Sequence, residues 1–303
     1  MNVLVTGSHG LIGRSLLPAL RAAGHVAVPL VRTAPKPGEI RWDPAIGEID
    51  PAGLQALGSF DALIHLAGEN ISGARWTREQ KRKIRESRTQ STRHLTRTVL
   101  SLPQRPAAFL CASAIGYYGD RGQDTVTEES VPGSGYLASV SQEWEAATIP
   151  AVEAGIRVVN MRFGVVLSPE GGALAKMLPM FQRGLGGPLG SGRQWFSWIE
   201  RHDAVGAILH CLSSDTLRGP VNLVAPNPVQ NAEFARVLGE VLGKPARLPA
   251  PAFALKLVFG PEMAEALLLT GARVKPRRLL ESGYAFRHPE LEGALRHALR
   301  LGA

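Results

Sequence analysis

Met1-Asn-Val-Leu-Val-Thr-Gly-Ser-His-Gly-Leu-Ile-Gly13 is the stretch whose reading decides the fold. Val3, Leu4 and Val5 are a short apolar, mostly β-branched run that ends at a glycine. Gly7, Gly10 and Gly13 follow at a spacing of three, and Leu11, Ile12, Leu16, Leu17 and Leu20 then fall on one face of a helix. Strand, glycine turn and helix in that order open a dinucleotide-binding βαβ unit. Gly7 allows the tight turn, Gly10 lets a pyrophosphate approach the backbone, and Gly13 lets helix and strand pack closely. The N–H groups of Leu11 and Ile12, at the positive end of the helix, face the phosphates. An ordinary strand-to-helix turn is the competing reading. It is weakened by a motif that starts at residue 7, behind a buried-type strand and before an amphipathic helix.

At 303 residues, 45% of them apolar and 20% charged, the chain can bury a full core. One large domain with a small appendage suits this length. There is no low-complexity tract, and no apolar run reaches the roughly 18 residues that argue a membrane span. The first strand begins at once, so no signal or transit peptide is expected. Cys111 and Cys211 each sit in an apolar context and read as buried free thiols in a reducing cytoplasm. No metal is expected, because the sequence offers no tight cluster of Cys, His or carboxylates.

The formal charge of +8 is concentrated in one place. Residues 75–97 hold nine Lys or Arg against Glu79 and Glu86, a net +7. A solvated helix face accounts for most of these side chains, and a local field favouring an anionic ligand is the functional alternative. No helix-turn-helix, zinc-finger or RNA-recognition signature accompanies the charge, so nucleic acid is not expected.

Along the chain, Gly24 ends the first helix and residues 25–31 read as the second strand. A carboxylate closing this strand would bind ribose hydroxyls, whereas a basic residue neutralises the extra phosphate of NADP(H). Arg32 stands there, with no carboxylate until Glu39, and argues for NADP(H). The Pro- and Gly-rich residues 36–51 fit a small hairpin or irregular excursion better than a core strand. Residues 61–68 are a buried strand emptying into small residues, and a basic helix runs from Thr77, its N-cap, to Leu100. Residues 107–112 form a strand that ends at Ser113. A helix over 136–154 follows, then a strand over 156–161 and a helix from Gly171-Gly172 through Phe181. Residues 183–193 are too rich in glycine for regular structure; they read either as a mobile connector or as a loop closing over substrate with Arg183 or Arg193. A strand over 195–199, a helix starting at His202-Asp203 and a strand over 221–224 come next. From Lys244, prolines at 245, 249 and 251 mark a linker, and short helical patterns follow around 253–258, 263–269 and 289–299.

The Gly7-x-x-Gly10-x-x-Gly13 spacing resembles the extended branch of the short-chain dehydrogenase/reductase superfamily. Leu66-Ala-Gly-Glu-Asn-Ile, Arg75-Trp-Thr, Ser87-Arg88, Gly116-Tyr-Tyr-Gly, Trp144-Glu145, the glycine-rich loop and the Pro276-to-Phe286 tail narrow the match. Together they resemble the atypical members grouped as sugar-nucleotide epimerases, among them cell-division-inhibitor-like proteins. The resemblance covers essentially the whole chain. It implies an α/β fold with a doubly wound parallel sheet (Rossmann) and a small, mostly helical C-terminal domain. The expected division is an NADP-binding domain over residues 1–243 and a small domain over 244–303. It also implies that Leu66, Ala67 and Gly68 pass under the adenine and ribose, and that Ser113 and Tyr136 reach the reacting end of the substrate. Two departures stand out. Arg88 occupies the place of an active-centre Asn, and Val140 occupies the place of the lysine four residues after the tyrosine. That lysine lowers the tyrosine pKa; Arg88 is the cation available to supply a positive field instead.

Two function classes follow. One is an NADP(H)-dependent oxidoreductase or epimerase acting on a polar or anionic small molecule, with a nucleotide-linked sugar as the model. The other is a catalytically impaired NADP(H)-binding sensor or interaction protein. Neither requires a membrane, and both leave room for a homodimer.

Overall fold

The computed structural model describes residues 1–301. Its main sheet is built from β1 (Asn2–Thr6), β2 (Val26–Val31), β3 (Ile40–Asp43), β4 (Glu48–Ile49), β5 (Ala62–His65), β6 (Ala108–Ala114), β7 (Arg157–Phe163) and β8 (Gly219–Leu223). The spatial order is β8-β7-β6-β5-β1-β2-β3-β4. The chain therefore lays its first strands outward on one side of β1 and then returns to build the other side from β5. That reversal creates a crevice at the carboxyl ends of β1 and β5. β1 pairs in parallel with β2 and β5, and β5 pairs in parallel with β6. Val3, Leu4, Val5, Leu63, Ile64, Phe109 and Leu110 are all buried, as continuous apolar runs covered on both faces should be.

The sheet reaches further than its sequence suggests. Residues 36–51 do form a hairpin, β3 with β4, but β3 also joins the main sheet through Leu30↔Ile40 and Val31↔Arg41. Trp42 explains the difference. Its ring is 1% exposed and meets His65 edge-on at 5.7 Å. Burying an aromatic ring of this size outweighs the poor strand propensity around it.

The basic helix spans Arg78–Ser101, and the Thr77 hydroxyl accepts from Gln80 N, as an N-cap does. Arg78, Arg82, Lys83, Arg93 and Arg97 are exposed, with Arg82 paired to Glu79 and Glu86, whereas Arg88 is half-buried. The inner face buries Ile84, Leu95 and Val99 together with Thr89, Ser91, Thr92 and Thr96. Those small polar side chains have partners. Thr92 Oγ1 lies 3.0 Å from His65 Nε2 and accepts from Trp144 Nε1 at 3.0 Å. The other imidazole nitrogen, Nδ1, is 2.7 Å from Thr6 Oγ1. Thr6 Oγ1 already accepts the N–H groups of Leu66 and Ala67, so its own proton goes to Nδ1. The donor count thus assigns His65 as the neutral tautomer with its proton on Nε2.

Several elements differ from expectation. The helix expected over 136–154 breaks into Tyr136–Ala146 and Ile149–Glu153, because Pro150 has no N–H to continue the ladder. The strand expected over 195–199 is two strands. Trp195–Phe196 pairs antiparallel with Val229–Gln230, and Trp198–Glu200 pairs in parallel with Val165–Leu167. Ser197 divides them, donating to Ala272 O and accepting from Val274 N. The helix Asn231–Leu242, closed by Gly243 in the left-handed region, has no counterpart in the sequence reading. It packs Phe234 and Leu238 into a core with Trp198 and Phe181.

The chain forms two compact units. The first comprises residues 1–113, 140–161 and 208–221, and the second residues 114–139, 162–207 and 222–303. In the second, the helical C-terminal region is anchored by Asp203, whose carboxylate accepts Arg287 N and His288 N, both at 2.8 Å. The 183–193 segment has no helix, yet Leu189 N donates to Asn231 Oδ1 and Leu189 bridges to Ala250. Cys111 and Cys211 are buried free thiols, and burial raises the pKa of both. Among the described residues, no helix is long and apolar enough to cross a membrane.

Burial, with the Arg88 charge adding to it, pushes the His65 pKa down from 6.5 to about 3. Between those values the unfolded chain binds a proton that the folded chain does not. Stability from this source is therefore complete above pH 6.5 and falls on acidification at about 1.4 kcal/mol per pH unit. Urea midpoints at pH 7 and pH 5 should show that loss in the wild type and a smaller one in His65→Gln. Equal losses would mean that His65 is not the titrating group.

Candidate active site

The crevice beside β1 is lined by the ends of its neighbours. The registers Thr6↔Leu30, Thr6↔His65 and His65↔Cys111 bring Gly7, Arg32, Leu66–Gly68 and Ser113 to one edge of the sheet. Gly7 has φ +69°, and a Cβ there would stand 2.7 Å from Leu66 C. Gly13 is equally confined, since its Cβ would meet Gly7 O at 2.2 Å. Gly10 is different: it is exposed, and the nearest atom to its Cβ position is Gly7 O at 3.1 Å. Two glycines are thus required by packing, and the one between them leaves its outer face open. Leu11 and Ile12 are half-buried where the helix Gly13–Ala22 begins, and no side chain caps that helix. Uncapped N–H groups above an open glycine suit an anionic ligand.

Arg32 is exposed immediately after β2. Glu39, the first carboxylate beyond it, folds back toward the glycine turn, with Oε1 3.9 Å from His9 Nε2. Its other oxygen accepts Lys36 N at 2.9 Å, which ties the carboxylate into its own loop.

Arg88 comes from the basic helix and lies against the Ala67-Gly68 end of β5. Its guanidinium carbon is 3.3 Å from where a Cβ on Gly68 would stand and 5.1 Å from the centre of the Trp144 ring. Nη1 donates to Ile84 O at 3.1 Å. Ser113 is 2% exposed and donates its hydroxyl proton to Glu145 Oε1 at 2.6 Å. Its oxygen is left as an acceptor. Val140 is 2% exposed, so the position expected to carry a lysine is a core position in this chain. Trp144 and Glu145 were legible only as part of a family pattern. Their roles, anchoring to Thr92 and holding Ser113, come from contacts across long separations.

The tyrosines of the second unit divide clearly. Tyr136 opens its helix and is half-buried. Tyr118 is buried and donates to Asn222 Oδ1 at 2.7 Å while Arg162 Nη1 donates to its oxygen at 2.9 Å. Burial raises its pKa to about 12 despite the arginine. A phenol enclosed in this way is a structural strut. Tyr117 carries the Arg162 guanidinium 3.5 Å above its ring and is half-buried.

Comparison with known proteins agrees with this geometry. Residues 3–223 match the NAD dependent epimerase/dehydratase family, and residues 250–298 match a domain of unknown function, DUF1731. An epimerase family protein of Mycobacterium tuberculosis is 43% identical over 297 residues, which cover 98% of this chain and 97% of that protein. The crystal structure of the human epimerase family protein SDR39U1 with NADPH is 37% identical, with TM-score 0.89 over 99% of both chains. A nucleoside-diphosphate sugar epimerase from Corynebacterium glutamicum is 36% identical with TM-score 0.79, covering 99% of this chain and 58% of that one. This chain is therefore a member of the NAD dependent epimerase/dehydratase family, of the SDR39U1-like kind, on a Rossmann fold.

Proposed function

We propose that this chain binds NADP(H) at the β1–β5 crevice and is an oxidoreductase or epimerase acting on a polar, nucleotide-sugar-like substrate. The observation that carries the reading is Gly10, open to solvent between two glycines that packing demands. Gly7, Gly10, Leu11, Ile12 and Gly13 would hold the pyrophosphate, Arg32 the 2′-phosphate, and Leu66, Ala67 and Gly68 the adenine and ribose. When bound, the nicotinamide supplies a hydride donor or acceptor. The relative crystallised with NADPH and the relative described as a nucleoside-diphosphate sugar epimerase support the cofactor and the substrate class.

In this reading Tyr136 moves the proton that accompanies hydride transfer, and Arg88 supplies a permanent positive field beside Gly68. Ser113, with its proton held by Glu145, offers an oxygen that accepts from a sugar hydroxyl. Residues 1–243 would carry the cofactor site and 244–303 a small accessory domain. The buried free thiols fit a reducing compartment such as the cytoplasm. One observation favours a second reading. Val140, in the core, supplies no ammonium four residues after the tyrosine, as expected of an NADP(H)-binding sensor that has lost catalysis. Hydride exchange with any nucleotide sugar would decide for the enzyme, and tight NADPH binding without turnover for the sensor.

Titration with NADPH and NADH should show a preference for NADPH that Arg32→Glu erases or reverses. An unchanged preference would remove Arg32 from the phosphate site. Gly10→Val should keep the wild-type melting temperature within a few degrees but reduce NADPH affinity at least tenfold, since the new side chain fills the approach to the backbone. Undiminished binding would place the phosphates elsewhere. In a turnover assay, Tyr136→Phe should lose most activity at unchanged NADPH affinity. Tyr118→Phe should instead lower stability by about 1 kcal/mol through its lost hydrogen bond. Full activity in Tyr136→Phe would make Tyr117 the next phenol to test.

A further inference from the structure

Glu200 ends the strand Trp198–Glu200, immediately before the helix Arg201–Ser213, and is 1% exposed. Its two oxygens face different ways. Oε2 accepts the backbone N–H groups of His202 and Asp203 and so caps the helix. Oε1 is turned toward imidazoles, 3.1 Å from His202 Nδ1 and 3.5 Å from His297 Nδ1. The His297 ring meets His202 edge-on at 4.8 Å and stacks on His288 at 4.1 Å, with the planes 21° apart. One donor atom from each of Glu200, His288 and His297 lies within 4.8 Å of the other two. A cavity of about 240 Å³, lined in part by Glu200, His202 and His297, opens beside them. All these residues belong to the second compact unit.

We propose that Glu200, His288 and His297, with His202 as a fourth donor, form a binding site for one divalent transition-metal ion of the zinc class. The chemistry of the donors carries the choice of ion. Imidazole nitrogens with one carboxylate oxygen suit zinc and its neighbours, whereas magnesium and calcium take oxygen ligands. Ligands about 2.0–2.1 Å from a tetrahedral ion stand about 3.3 Å from one another, close to the separations around Oε1. A cation bound here meets the one carboxylate oxygen that the helix cap does not use. Arg201 is held by Glu170 at 2.5 Å, and Arg300 lies on the cavity wall. Ligation requires the His288–His297 stack to open until both lone pairs converge on the ion. The ion would clamp the start of the Arg201–Ser213 helix to the C-terminal helix Leu291–Ala298, joining the epimerase-matched segment to the DUF1731-matched one.

The test uses the tag-free full-length chain after chelator treatment. Calorimetric titration should show one zinc per chain, no response to magnesium, and a melting temperature that rises with zinc. Cobalt should give the visible absorption of a tetrahedral site. His297→Ala and His288→Ala should each lower zinc affinity at least tenfold. His297 is 41% exposed at its side chain, so metal-free melting of His297→Ala should match the wild type. Substoichiometric zinc, magnesium binding of equal strength, or unchanged zinc affinity in both variants would overturn the site.

Discussion

The Thr6 hydroxyl joins the two halves of the crevice. It accepts the N–H groups of Leu66 and Ala67, where β5 ends, and passes its own proton to His65. Gly7 follows at once, so close to Leu66 that a Cβ would collide with backbone. These two residues bring the ends of β1 and β5 together at the place where the strand order reverses. The polar chain continues through His65 and Thr92 to Trp144, which binds the basic helix and the Tyr136–Ala146 helix into the same arrangement. Every member is buried, and a half-satisfied network of this kind would cost more than an apolar core. His65 meets that demand by staying neutral. Arg88, whose guanidinium is intrinsically a permanent cation, stands beside Gly68.

Carboxylates play the corresponding part in the second unit. Asp203 gathers the backbone N–H groups of Arg287 and His288, and Tyr284 donates to its backbone carbonyl. Glu128 accepts Asn222 N, and Asn222 in turn holds the Tyr118 hydroxyl. Buried carboxylates bridging backbone donors from distant segments hold short, irregular pieces of chain in place. Here they do so around strands of two or three residues, too short to be stable by pairing alone.

The opening strand, glycine turn and helix were legible because each depends on local periodicity and on the absence of a Cβ. So was the Thr77 cap, which needs only a hydroxyl three residues from an unpaired N–H. The misread elements lacked such local causes. β3 is a sheet strand because Trp42 finds cover against His65, twenty-three residues away in sequence. The 195–199 strand divides because Ser197 meets Ala272 and Val274. Asn231–Leu242 is a helix whose core partners include Phe181 and Trp198. Such contacts leave no periodic mark in the segment that makes them.

By itself the sequence determined the fold class, the glycine turn behind β1 and the small residues that follow β5, since glycine spacing and apolar runs are local physical constraints. Only the tertiary structure decided what the candidate side chains can do. Ser113 gives its proton to Glu145 over thirty-two residues, Tyr118 is closed off by Arg162 and Asn222, and Val140 lies in the core. Glu200 meets imidazoles that follow it by two, eighty-eight and ninety-seven positions. Proton direction, burial and the convergence of donors are properties of space between distant segments, and no short window of sequence contains them.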